Sequence, residues 1–180
     1  YEIPLRLVGS EMCIRDRRVS SAHVIAYFIA GVFALVFMNY KVHYSSEALS
    51  LFMRPLSSPW VGIGPALQIF RGVIIALVLL PIRSFIFTKY GYIKLMWLIF
   101  GFCSVSTIGP TPGSFDGFIY TVLPVYYHLL GMPETLLYIF LFTGILAFWY
   151  RWEKKYMAWI SVMGVILIIT MGIMGFKNML

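Results

Sequence analysis

The stretch Tyr156–Phe176 reads YMAWISVMGVILIITMGIMGF and carries no charge. A helix rises about 1.5 Å per residue, so roughly twenty residues cross the roughly 30 Å hydrocarbon core of a bilayer. Four more long apolar runs precede it: His23–Met38, Val61–Ile82, Tyr92–Ile108 and Pro133–Tyr150. None alternates in polarity as a barrel strand would, and only helices satisfy every backbone group of an open structure in lipid. Apolar residues make up 61% of the chain and charged ones 12%, a balance that leaves little polar surface for a water-soluble domain. The expected fold is an all-α, polytopic transmembrane bundle of about five visible spans. No internal repeat marks the inverted halves common in transporters.

The segment Val8–Arg17 reads VGSEMCIRDR. It resembles a translated transposase-type sequencing adapter, whose bases GTG GGC TCG GAG ATG TGT ATA AGA GAC AG give those residues codon by codon. Tyr1, Glu2 and Leu7 fit the flanking adapter bases. The resemblance implies that residues 1–17 carry no fold information, that the native N-terminus is missing, and that residues 18–180 form one transmembrane domain. Cys13 leaves with that segment, and the remaining Cys103 alone forms no disulfide or metal cluster. Three basic and three acidic residues leave together, so the net charge of +7 is unchanged.

Basic residues set the expected orientation. Arg83, Lys89 and Lys94 follow the second span, and Arg151, Lys154 and Lys155 follow the fourth. The connection Gly109–Met132 has none. The turns 83–94 and 151–155 are therefore expected in the cytoplasm, and 109–132 outside. Tyr150, Trp152, Tyr156 and Trp159 flank the second basic turn as an interfacial aromatic belt would. The basic balance thus reports topology, with the lipid bilayer as partner and no nucleic acid. The loop Asn39–Pro59 mixes aromatic, aliphatic and hydroxyl residues. It fits either a short amphipathic surface helix or an ordinary ordered loop.

Arg71 is the residue that this pattern leaves unexplained. It sits near the middle of Val61–Ile82, where insertion of an arginine costs about 2.5–3.5 kcal/mol and each central Leu, Ile or Val offsets only about 0.3–0.6. Such a side chain faces the bundle interior or a wet cavity. Gln68 lies one turn before it, Gly64 another, and Gly72 beside it, which makes a narrow polar and small-residue stripe. A structural ion pair and a ligand-binding arginine both fit. The expected partner is Asp116 first and Glu134 second. In the third span, Ser104, Ser106 and Thr107 either bond their own helix or hydrate a cavity at the depth of Arg71.

The segment Gly109–Gly117 reads GPTPGSFDG. Pro110 and Pro112 oppose a helix, whereas glycines with positive φ suit a turn. Ser114 or Asp116 would cap a helix through Phe118–Tyr127. Pro133 and Glu134 make an ordinary helix start. His23, His43 and His128 are scattered, so no metal site is expected, and no zinc-protease, nucleophile-elbow or phosphate-loop motif is present. No cofactor is implied. Gln68, Arg71, Ser104, Thr107, Asp116, His128 and Glu134 are the candidate binding or structural cluster. Most of the ionisable groups among them belong to the outer half of the bundle.

From Gln68-Ile-Phe-Arg71-Gly72 through the 109–117 turn to Pro133-Glu134, the chain resembles uncharacterised bacterial multi-spanning membrane proteins. That resemblance implies a bacterial plasma membrane and no activity. The leading expectation is a non-enzymatic protein with an outward polar or anion-binding pocket around Arg71. One alternative is a membrane-embedded enzyme acting on a lipid-linked or small anionic substrate, with Asp116 or His128 as acid/base. The other is a structural subunit bound to a membrane-protein partner.

Overall fold

The computed structural model describes residues 5–51, 53–86, 88–107, 109–152 and 155–180, with side chains from Arg17 onward, Lys155 excepted. The adapter-like reading of residues 1–17 lies outside the described side chains except at Arg17, which is exposed. The helices are α1 (Leu5–Phe37), α2 (Tyr40–Tyr44), α3 (Glu47–Ser50), α4 (Pro59–Leu79), α5 (Arg83–Ile86) and α6 (Gly91–Phe100). A π-helical turn (Gly101–Val105) extends α6, and α7 (Phe115–Tyr120), α8 (Val125–Leu130), α9 (Met132–Arg151) and α10 (Lys155–Asn178) follow. Among the described residues no strand occurs. Four segments are long and apolar enough to cross a membrane: Arg17–Phe37, Pro59–Leu79, Val125–Arg151 and Tyr156–Asn178. The chain is a multi-pass, all-α membrane protein.

Local chemistry sets the boundaries. Pro59 opens α4 at a position where its missing N–H costs nothing, and Pro81 follows its end. The first span begins six residues before the expected His23, and Val19–Ala22 is already buried. The third is shorter than expected. Gly91–Val105 is fifteen residues, about 22 Å at helical rise, and its expected last residue, Ile108, lies outside the described residues. The helix gives way where Ser104, Ser106 and Gly109 replace the aliphatic run. The helix expected over 118–127 is broken: Thr121 is extended, and Pro124 starts a new helix at Val125. The 39–59 loop holds two short helices, anchored by buried Tyr40 and Leu49.

The long helices run up and down. At one end Tyr40 meets Glu134 and His43 meets Tyr126, so the connections after α1 and before α9 lie together. At the other, the Arg18 guanidinium lies 5.6 Å from the Tyr150 ring centre, and Lys89, Tyr92 and Arg151 surround one cavity. All the described basic residues of the turns after α4 and α9 belong to that second end.

The centre of the bundle is α1, which packs on α4, α9 and α10, while α6 lies against α9. Its contact face repeats every four residues: Ala22, Ala26 and Ala34 are 0% exposed and Ala30 is 1%. Small residues at that spacing let helix backbones approach. The α4 side answers with Gly72, where an added Cβ would sit 2.7 Å from Ser20 Oγ and 3.0 Å from the Ser20 Cα and carbonyl oxygen. Gly64, expected on the same stripe, has nothing within 4 Å of its would-be Cβ. A second close approach joins α4 to α10, with Gly62 on Gly175 and Ala66 on Gly172.

These contacts separate two glycines eight residues apart. Gly72→Val should force α1 and α4 apart and destabilise the protein by about 1–3 kcal/mol, the cost of overpacking. Gly64→Ala should leave the melting temperature in detergent unchanged. Equal losses at both positions would contradict this packing.

Candidate functional site

Four elements line a cavity of about 230 Å³ in the half of the bundle that carries α2–α3 and α7–α8. α1 contributes Tyr27 and Ala30, and α4 contributes Arg71. Ile99, Cys103 and Ser104 come from α6 and its π-turn, and Glu134, Thr135, Tyr138 and Ile139 from α9. Helical spacing explains the convergence. Glu134 and Tyr138 are four residues apart and share a face, as do His23 and Tyr27 on α1. The π-turn shifts the helical phase just where Cys103 and Ser104 reach the cavity.

Beneath the cavity, His23 is fully buried and joins three helices. Its Nε2 lies 3.1 Å from Gln68 Oε1 and its Nδ1 2.7 Å from the Tyr138 hydroxyl. A neutral ring satisfies both by donating from Nε2 to the amide oxygen and accepting the phenol O–H at Nδ1. Tyr138 and Phe142 box the imidazole edge-on. At the α2–α3 end, the Tyr40 hydroxyl donates to the Glu134 carboxylate, and the Tyr40 ring stacks on Tyr44 at 5.2 Å. Polar groups thus run from Gln68 through His23 and Tyr138 to the cavity, and from there through Glu134 to Tyr40.

Of the residues expected to cluster, Arg71, Ser104 and Glu134 share the cavity, and Gln68 supports it through His23. Glu134, ranked second among the expected partners of Arg71, lines the cavity, and Asp116 does not. Among the described residues no carboxylate lies within the 4.0 Å of an ion pair from Arg71. Asp116 occupies the first turn of α7. Thr107 pairs with Thr111 at 2.9 Å in the surface turn.

His128 is a staple of that turn. It is 2% exposed, accepts the Gly113 N–H at Nδ1 (3.1 Å), meets Thr121 Oγ1 at Nε2 (3.3 Å) and stacks on Phe118 at 4.3 Å. The turn itself is of the expected kind, with φ of +106° at Gly109 and +84° at Gly113, a region that glycine enters without strain. Of the two proposed caps, Ser114 is the one engaged. Its Oγ accepts the Gly117 N–H at 3.0 Å. Asp116 and His128 therefore stay apart from the Arg71 cavity because the broken helix folds this segment onto itself.

Sequence reasoning passed over His23, Tyr27, Tyr40 and Tyr138. The signal was present in the four-residue spacing of His23 with Tyr27 and of Glu134 with Tyr138. Placing His23 at the edge of a span hid it. Among the described residues no group of three or more His, Cys, Asp or Glu side chains is arranged to hold a metal ion. No protein-family model, curated protein or solved structure matches the chain.

The phenols of α2 have raised pKa values. Tyr44 is pushed up from 10.0 to about 12, first by burial and then by the charges of Glu134 and Tyr27. Tyr40 is raised as well, by burial first and then by its hydrogen bond to Glu134. A raised acid pKa stabilises the fold through the protonated form. That contribution is complete below about pH 10 and is lost as pH rises through the folded value. Stability should therefore hold level to about pH 9.5 and fall between about pH 10 and 12. Tyr44→Phe should make that fall shallower. In a double-mutant cycle, Tyr40→Phe and Glu134→Gln should couple by about 1.5–3 kcal/mol, the range for a hydrogen bond to a charged group. Additive losses would remove the Tyr40–Glu134 bond from the account.

Proposed function

We propose that this protein holds a small anionic or zwitterionic ligand in the cavity around Arg71, opening to the outside of a bacterial plasma membrane, without catalysing a reaction on it. The observation that carries this reading is Arg71, exposed rather than buried in the bundle as expected and unpaired with any described carboxylate, lining a cavity of about 230 Å³ together with Tyr27, Ser104 and Tyr138. A guanidinium at the wall of a cavity takes an opposite charge or water as its partner. Arg71 matches an anionic group, with donors nearby to complete its hydrogen bonds. Glu134, already bonded to Tyr40 at the cavity's outer end, suits a donor on the same ligand. The volume favours a molecule below drug size. Of the acid/base groups considered for an enzyme, His128 is bonded within the α7–α8 turn and Asp116 lies in the first turn of α7, and neither lines this cavity.

The outward direction follows from basic residues crowding the opposite end of the bundle. A lipid-exposed bundle face would serve a membrane-protein partner equally well, but no particular face argues for one.

Cys103 lines this cavity and is exposed, which supplies a direct test. In a Cys13→Ser background, intact cells would be treated with two thiol reagents of similar size. One is the anionic 2-sulfonatoethyl methanethiosulfonate and the other the cationic 2-trimethylammonioethyl methanethiosulfonate. The anionic reagent should modify Cys103 roughly tenfold faster, corresponding to about 1.4 kcal/mol of favourable potential, and Arg71→Gln should abolish the preference. Equal rates would overturn the anion site. Modification only after permeabilisation would reverse the orientation while leaving the site in place.

A further inference from the structure

The basic end of the bundle holds a second, larger cavity, of about 900 Å³, lined by α1, α4, α5, α6, α9 and the residues joining α5 to α6. Its depth is apolar and is built from Val19, Leu79, Ile86, Leu95 and Leu146. Its mouth is different: Lys89, Arg151, Thr88 and Tyr92 line it. Two further cations rest on mouth residues. Lys94 Nζ reaches Thr88 Oγ1 at 3.3 Å, and the Arg18 Cζ lies 5.6 Å from the centre of the Tyr150 ring, which also lines the cavity. Among the described residues no carboxylate lines it.

We propose that this cavity binds an anionic phospholipid, with the phosphodiester between Lys89 and Arg151 and an acyl chain in the apolar depth. The two halves of the cavity match the two halves of that molecule. Lys89 and Arg151 at the mouth suit an anion, and Lys94 on Thr88 adds to the positive potential there. The aliphatic depth is of no use to a free phosphate, and its volume greatly exceeds what a headgroup needs. Tyr92, Tyr150 and Trp152 at the rim have the amphipathic rings that sit at headgroup level. Basic pockets between spanning helices recognise lipid headgroups in this way. The site is separate from the Arg71 cavity, at the opposite end of α1, and stands whether or not that cavity binds a ligand.

Native mass spectrometry and thermal shift of the detergent-purified full chain test this with three probes. They are dioleoyl phosphatidylglycerol, dioleoyl phosphatidylcholine and glycerol 3-phosphate. Phosphatidylglycerol should be retained and should raise the melting temperature. The zwitterionic lipid with the same chains, and the soluble headgroup alone, should do neither. Lys89→Gln and Arg151→Gln should each weaken phosphatidylglycerol binding roughly fivefold, and Lys41→Gln at the far end should not. Ala147→Phe keeps every charge and fills the cavity wall, so it should also lose the lipid, which keeps the test usable if the charge variants fold poorly. Equal retention of both lipids, a response to glycerol 3-phosphate alone, or unchanged lipid binding in Ala147→Phe would overturn the proposal.

Discussion

An imidazole with no access to solvent holds the arrangement of this bundle. His23 sits on the central helix and has two ring nitrogens that must both be satisfied in an apolar interior. One goes to Gln68 on α4 and the other to Tyr138 on α9. Apolar packing alone permits a helix to rotate or slide by small steps, because one aliphatic contact resembles the next. Two hydrogen bonds to two different helices remove that freedom, since any other register leaves buried polar atoms unpaired. The rotation of α1 thereby sets where Tyr27 and Ala30 point, one and two turns further along.

That rotation also aligns the alanine face of α1 with its neighbours. Ala22, Ala26, Ala30 and Ala34 allow backbone approach along most of the helix, and Gly72 brings α4 onto Ser20. Close packing below the cavity and along α4–α10 contrasts with the open space left around Arg71. Tyr27 of α1 and Tyr138 of α9 line that space, and the π-turn of α6 completes the wall with Cys103 and Ser104.

The two ends of the molecule have different chemistry. One is a folded cap of short helices, held by the Tyr40–Glu134 bond and by His128 and Ser114 inside their turn. The other is a basic rim over an aliphatic cavity. Between them, polar side chains within the helices close onto their own backbones, as Thr143 and Ser161 do, so the apolar girdle carries few groups in need of lipid-side partners.

The sequence alone determined the class, because charge-free runs of about twenty residues have no stable place except a bilayer. It also singled out Arg71, a lone charge within an apolar run, and identified the 109–117 segment as a turn, since glycine and proline act locally. The tertiary structure decided the company those residues keep. Whether Asp116 or Glu134 lies beside Arg71 depends on how a segment of two short helices folds back, and Pro124 broke the helix that sequence reading had carried through it. The role of His23 was equally hidden. A histidine near a span boundary reads as interfacial until the residues across from it are known, and Gln68 and Tyr138 lie 45 and 115 positions away. Local propensity is written in neighbouring residues, whereas satisfying a buried polar atom depends on groups brought close only by the packing of the helices.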